Sequence, residues 1–226
     1  MAEDHQANEV SIRALLRSLP VFTGELPAFD AAATPADPVS LFAAWLASAI
    51  DGEVPEPHAM TLSTVDGHGQ PSARVLICRA VDGTGRWYFA SSATSRKGRE
   101  LGANPHAALT FYWPKQGRQI RIRGTVAPTG AERSAADFLA RSPASRAESL
   151  TGRQSDILDD PAEAAAALQA ATAALAADPG LVAPDWTLYA LTAADAEFWQ
   201  ADEHRRHTRL RYERAGPAWR RHLLWP

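Results

Sequence analysis

This chain of 226 residues has little of what several familiar chemistries require. Its one cysteine, Cys78, cannot form an intrachain disulfide or a thiolate metal site, and it fits a reducing cytoplasm. Lysine is nearly absent, with only Lys97 and Lys115, so arginine carries the basic load. The seven histidines show no H-x-x-x-H or carboxylate spacing suited to zinc, and no metal is expected. No apolar run approaches the roughly 18 residues of a membrane span. The M-A-E-D-H-Q start does not lead from a basic segment into an apolar one, so no signal peptide is expected. A net charge of -3 gives no electrostatic reason to bind nucleic acid. The nucleophile elbow G-x-S-x-G, the P-loop and a G-x-G-x-x-G after a strand are all missing. The remaining composition is that of an ordinary globular protein, 46% hydrophobic and 22% charged.

Residues 1–36 read as an N-terminal arm, partly flexible and ordered only against a partner surface. Val10–Leu19 has a short helical pattern, and Pro20, Gly24, Pro27 and Pro35 break up the rest of the arm. Asp37-Pro38 is a helix start, with Asp as N-cap and Pro at the first helical position. Phe42, Trp45, Leu46, Ala49 and Ile50 then share one face up to Gly52. From His58 the period changes to alternation. A hairpin is expected around Asp66–Gly69, with Ser72–Arg79 as its second strand. Arg86–Ser92 comes next as a strand, and His106–Trp113 pairs with Arg118–Val126 in a second hairpin. Gly130–Arg141 and Ala162–Ala177 read as helices. Trp186–Leu191, Glu197–Gln200, Thr208–Arg214 and Ala218–Leu224 return to strand character. Residues 37–226 are therefore expected to form one mainly β domain with inserted helices, an antiparallel barrel or sandwich.

Three constellations could carry chemistry. The first centres on T-S-R-K-G-R-E-L, Thr94–Leu101. Ser95 is a plausible N-cap, and Arg96 and Lys97 then sit in the first turn, where cations oppose the helix dipole. A bound anion would explain them, and a solvated basic turn is the alternative. Arg74 and Arg79 flank the apolar run Val75–Cys78, and alternation puts them on opposite faces unless the strand is bulged. The second constellation is the polar strand face Gln119, Arg121, Arg123, which is a solvent face or a reader of a heterocycle edge. The third is Glu197–Tyr212, where Arg205, His207, Arg209 and Arg211 recur at every second position. Such a row repels itself unless an anion or solvent intervenes; the other reading is a basic edge strand.

These segments occur in one order: R-V-L-I-C-R (Arg74–Arg79), S-R-K-G-R-E-L, N-P-H-A-A-L-T-F-Y-W (Asn104–Trp113), R-Q-I-R-I-R-G (Arg118–Gly124), R-Q-S (Arg153–Ser155) and E-F-W-Q…H-R-R-H-T-R. From about Asp37 to Pro226 the chain resembles the pyridoxamine 5′-phosphate oxidase family. The resemblance implies a homodimer of FMN-binding split β-barrels, with FMN in two clefts between subunits. It assigns FMN contacts from one subunit to Arg74, Val75, Leu76, Ile77, Cys78, Arg79, Ala90, Ser91, Arg96, Lys97 and Gln119. Contacts from the other fall to Gln154, Ser155, Trp199 and Arg209. It places Arg205 and His207 over the substrate as the catalytic pair. A hydride passes from substrate to flavin, and dioxygen is the acceptor.

The departures concern the substrate. Positions that grip a substrate phosphate in the family hold Arg79, Asp137, Arg141 and Ser145 here, and Asp137 would repel a phosphate unless its side chain turns away. The W-G-G-[FY]-R segment is W-T-L-Y-A, Trp186–Ala190, and Arg206 replaces an apolar residue. These changes resemble the flavin oxidase branch of phenazine biosynthesis. They favour a reduced heteroaromatic acid, suited to Arg141, Arg205 and Arg206, over pyridoxine or pyridoxamine 5′-phosphate. A flavin-binding protein without oxidase activity is the alternative of another class.

Overall fold

The computed structural model describes residues 11–22 and 24–226. Helix α1 (Pro38–Asp51) begins as its sequence dictates: the Asp37 side chain accepts from the Ser40 amide at 2.9 Å, and Pro38 opens the first turn. It buries Leu41, Phe42, Trp45 and Ala49, while Ile50 is exposed, so the apolar stripe is rotated one position from the expected one.

The strands are β1 (Ala59–Val65), β2 (Pro71–Ile77), β3 (Ala80–Asp82), β4 (Arg86–Ser92), β5 (His106–Trp113), β6 (Arg118–Pro128), β7 (Trp186–Gln200), β8 (Thr208–Ala215) and β9 (Ala218–Leu223). Helices α2 (Arg96–Ala103), α3 (Ala131–Leu139), α4 (Pro143–Leu150) and α5 (Pro161–Ala177) are inserted between them. All pairings are antiparallel, in the order β2-β1-β5-β6-β7-β4-β3, with β8 on β7 and β9 on β8. The two ends of this path, β2 and β3, are joined through Cys78 and Arg79. The Cys78 amide donates to the His58 carbonyl, and the Arg79 amide donates to the Tyr88 carbonyl. The chain thus hands over from β1 to β4, and the sheet curls into a barrel. Strand β7 splits its second edge: Trp186–Thr192 pairs with β4, and Asp195–Gln200 pairs with β8. The fold is a split β-barrel with helices.

The barrel interior is aromatic and aliphatic. Trp87, Phe89, Leu109, Phe111, Ile120, Ile122 and Phe198 are fully buried. Helix α1 plugs the barrel, with Phe42 on Phe111 at 5.0 Å and Trp45 edge-on to Phe198 at 5.2 Å. Each such side chain contributes roughly 1.5–3 kcal/mol of burial.

Two expectations need correction. Trp186–Leu191 and Glu197–Gln200 are one 15-residue strand. The intervening T-A-A-D-A has weak strand propensity, but long pairing with β6 overrides it. A bulge lets it do so, as the register moves from Arg123↔Asp195 to Gly124↔Ala193. Gly124 is required there, because a Cβ would lie 2.0 Å from the Thr192 carbonyl oxygen. Helix α4 has no counterpart among the expected elements, although Ser142 caps it and Pro143 opens it. Part of the arm packs against the domain. Residues 11–18 are helical, with Val10 outside the described residues. Phe29 packs edge-on to Trp45 at 5.0 Å, and Tyr212 Oη donates to the Pro35 carbonyl at 2.8 Å.

Candidate active site

The segment after β4 builds a polar corner that carries Arg96 and Lys97. Ser95 Oγ accepts the Gly98 amide at 3.3 Å and caps α2. Gly98 lets α2 lie against the preceding loop, since a Cβ would sit 2.3 Å from the Ala93 oxygen. Lys97 is only 7% exposed. Its Nζ donates to Gln154 Oε1 at 3.0 Å and to Ser95 Oγ at 3.2 Å. Burial, and then the charge of Arg74, lowers its pKa, with Glu100 opposing.

Arg96 is neutralised differently. Its Nε donates to Glu100 Oε1 at 2.8 Å, and Arg74 reaches Glu100 Oε2 at 3.2 Å and Ser72 Oγ at 2.6 Å. Glu100 is 4% exposed. Burial alone would raise its pKa, but hydrogen bonds from Thr64, Ser72, Arg96 and Arg74 outweigh it and hold the carboxyl at about 2. Glu100 is not among the residues expected from the sequence, although its spacing of four from Arg96 is an ion-pair signal. Lys97, unlike Arg74 and Arg96, has only uncharged hydrogen-bond partners among the described residues. Ser91 Oγ donates to Gln154 Oε1 at 3.2 Å, and the Arg96 amide donates to Ser155 Oγ at 3.2 Å. Gln154 and Ser155 thus meet Lys97 and Arg96 within one chain. The turn after α4, with Gly152 and Ser155 at positive φ, folds the chain back onto the start of α2.

A cleft of about 530 Å³ opens beside this corner. Val75, Leu76, Ile77, Arg79, Ala90, Ser91 and Gln154 line it, as do the expected substrate residues Arg141 and Ser145. Cys78 is not among its lining residues, and burial pushes its thiol up to about 12. Asp137 is turned aside: Oδ2 accepts from Trp186 Nε1 at 2.9 Å, and Oδ1 lies 3.7 Å from Arg79 Nε. The Arg141 guanidinium stacks 4.0 Å over the Trp186 ring and donates to Ser149 Oγ at 2.6 Å. Burial, then the charge of Arg79, lowers the Arg141 pKa.

The other expected residues form a second cluster. Gln119 is in register with Trp199, and Trp199 with Arg209. The His207 ring lies 4.9 Å from Trp199. The alternating row of Arg205, His207, Arg209 and Arg211 is broken, because β8 begins only at Thr208. Arg209 pairs with Glu197 at 2.8 Å and Arg211 with Asp195 at 3.7 Å. Arg121 and Arg123 use the same two carboxylates, so this strand face is a charge-paired surface. Arg205 and His207 sit on a loop organised by Asp202. Its Oδ1 accepts the amides of His204 at 2.8 Å and Arg206 at 3.1 Å, and its own amide donates to His207 Nδ1 at 3.1 Å. A ring nitrogen that accepts carries no proton, so Nε2 is the donor that His207 presents. Arg205 is exposed, with φ of 60°. Phe22 of the arm, which carries no signal in the sequence, covers Trp199 and His207 at ring distances of 5.7 and 6.1 Å.

The two clusters lie at opposite ends of β7. Trp186 borders the cleft and Trp199 the second cluster, thirteen residues further on. That is roughly 40 Å along a strand rising about 3.3 Å per residue. Among the described residues no group of side chains is placed to hold a metal ion, and no helix is long and apolar enough to cross a membrane.

Comparison with known proteins places this geometry. Residues 46–173 match the pyridoxamine 5′-phosphate oxidase family, and residues 186–226 match the pyridoxine 5′-phosphate oxidase C-terminal dimerisation region. The chain is 42% identical over 193 residues to a pyridoxine/pyridoxamine 5′-phosphate oxidase of Thermosynechococcus vestitus, covering 84% of this chain and 89% of the relative. It is similar to PhzG from Burkholderia lata 383, solved in complex with tetrahydrophenazine-1-carboxylic acid. There the TM-score is 0.82 and the identity 33%, over 90% of this chain and 100% of that one. A pyridoxamine 5′-phosphate oxidase-related, FMN binding protein from Nostoc punctiforme shares the fold, with a TM-score of 0.67 at 19% identity over 84% and 98% of the two chains. The chain belongs to the pyridoxamine 5′-phosphate oxidase family of FMN-dependent oxidoreductases.

Proposed function

We propose that two copies of this chain form a homodimer in which each FMN lies between the cleft of one copy and the Trp199–His207 cluster of the other. The separation of Trp186 from Trp199 along β7 supports this reading, because the expected residues fall into two groups at its opposite ends. The donor set of the corner fits a flavin phosphate. Lys97 supplies a buried cation with uncharged partners, and Ser91, Gln154, Ser155 and the first amides of α2 surround it. Arg74 and Arg96 shape the corner through Glu100. Bound FMN would supply hydride acceptance and transfer of electrons to dioxygen. The chain's own part is to bind, orient and exclude water. His207 Nε2 offers a hydrogen bond over the substrate, Arg205 offers a charge, and Trp199 and Phe22 close the apolar side.

The favoured substrate is a reduced heteroaromatic acid of phenazine type, and one observation carries it. Asp137 draws on Arg79 and is tethered to Trp186, so the cleft does not offer an unopposed set of cations to a phosphate dianion. It offers Arg141 laid flat on an indole, which suits a planar ring bearing a carboxylate. The likeness to PhzG supports the same reading. Pyridoxine or pyridoxamine 5′-phosphate is the second reading. It is favoured by the name of the Thermosynechococcus relative and by the presence of Arg79, Arg141 and Ser145 in one cleft. The test is anaerobic addition of tetrahydrophenazine-1-carboxylic acid and of pyridoxamine 5′-phosphate to separate samples of the yellow protein. The first should bleach the flavin faster. Faster bleaching by the second overturns the substrate order, and bleaching by neither supports a flavin binder without oxidase activity.

A further inference from the structure

The arm carries an apolar stripe that the described residues leave uncovered. Ile12, Leu15, Leu16 and Leu19 succeed one another at helical spacing along residues 11–18 and just beyond, and each is at least 50% exposed. Arg13 and Arg17 flank the stripe one turn apart. Four residues after the helix the arm reaches Phe22, which rests on Trp199 and His207.

A groove of matching character lies elsewhere on the barrel. The segment between α4 and α5 and the first turns of α5 enclose about 360 Å³. Ile157, Leu158 and Leu168 form its apolar lining and are exposed, Ile157 at 82%. Its rim carries Glu148, Asp156 and Glu163 against a single cation, Arg153, which already bonds Glu163 at 2.9 Å. The groove borders the 530 Å³ cleft, with Glu148 lining both.

We infer that the arm helix of each copy docks into the Glu148–Leu168 groove of the other copy. This rests on the shared-site reading under Proposed function. Phe22 travels with Trp199 and His207, so in the dimer it arrives at the partner's cleft. A helix ending four residues earlier then falls within roughly 14 Å of it, at most about 3.4 Å per residue. That is the rim where the groove begins. The stripe would bury its leucines against Ile157, Leu158 and Leu168, while Arg13 and Arg17 meet the acidic rim. The partner of this surface is a second copy of the chain, and the contact straps the arm across the site that the two copies share.

The test places the photo-cross-linker p-benzoylphenylalanine at position 15 of the full-length, FMN-loaded protein, and in a second variant at position 19. Irradiation should give a covalent dimer on a denaturing gel, with the cross-linked peptide mapping within residues 148–168. Cross-links confined to one chain, cross-links to another surface, or none at either position in a yellow dimer overturn the docking alone. A sample that sediments as a monomer overturns both the docking and the shared-site reading beneath it.

Discussion

Asp137 and Trp186 are joined by a 2.9 Å hydrogen bond from indole Nε1 to carboxylate Oδ2, across 49 positions of sequence. The bond ties α3 to the start of β7 and fixes the wall of the cleft. It also decides where the negative charge of Asp137 points, which is along the wall and toward Arg79 at 3.7 Å.

Replacing Asp137 with Asn keeps an acceptor for Trp186 and removes the charge. Arg79 is then free to serve an anionic substrate. The KM for pyridoxamine 5′-phosphate should fall by roughly three- to tenfold, the effect of about 1 kcal/mol at a partly exposed ion pair. Steady-state peroxide release measures this, and an unchanged KM would show that Arg79 does not meet the substrate.

Lys97→Met retains the buried methylene stem and deletes the ammonium. Loss of a charge-assisted hydrogen bond to phosphate costs about 1.5–3 kcal/mol, so the Kd for FMN should rise on the order of 10- to 100-fold. Titration of flavin fluorescence reads it. A Kd equal to that of the wild type would remove Lys97 from the phosphate site.

Asp202 does not line the cleft, yet it organises the loop of Arg205 and His207. Asp202→Ala should lower the rate of anaerobic flavin bleaching by about 10- to 100-fold through misplacement of that pair. FMN content and dimer formation should stay unchanged, which separates positioning from folding. Asp202→Asn keeps the acceptor and should recover most of the rate.

Glu100 carries a pH dependence whose sign comes from its depressed pKa, about 2 in the folded chain against an ordinary 4.5. The charged form is favoured by folding, so its contribution is fully present above about pH 4.5 and is lost as pH falls toward 2. Glu100→Gln should therefore cost about 2–3 kcal/mol near neutral pH, measured by urea unfolding. The gap between variant and wild type should narrow as pH drops below about 4.5. A gap that widens in acid would contradict the assignment.

Much of the architecture is legible in the sequence because local signals and tertiary pairing agree. Asp37-Pro38 starts α1, and the Asp66–Gly69 turn links β1 to β2, where Asp66 Oδ1 accepts the amides of His68 and Gln70. Strand β7 reads as two pieces because Thr192–Ala196 has little intrinsic strand preference, and pairing with neighbouring strands, β6 along most of its length, extends it. The site is legible as a set of residue types, and its electrostatics are not. Glu100 absorbs Arg74 and Arg96, while Glu197 and Asp195 absorb the arginines of β6 and β8. Apart from the i,i+4 pair of Arg96 and Glu100, those partners lie on neighbouring strands or across the fold, where no sequence spacing reveals them. The meeting of Gln154 and Ser155 with Lys97 and Arg96 in one copy is hidden for the same reason, since a turn at positive φ decides where they point. Phe22 has no signal beyond being aromatic in an arm.

Mixed dimers distinguish an FMN oxidase site built from both copies from one built within a single chain. One parent is Lys97→Met, damaged in the cleft, and the other is Arg205→Ala with His207→Ala, damaged in the second cluster. Each alone should be nearly inactive, the first at FMN concentrations well below its raised Kd. After denaturation and joint refolding with FMN, half of the dimers are mixed and each mixed dimer contains one intact site, so activity should return to about a quarter of the wild type. Mixed dimers that form and bind FMN yet remain inactive would show that each chain builds its site alone, and would rule out a shared site.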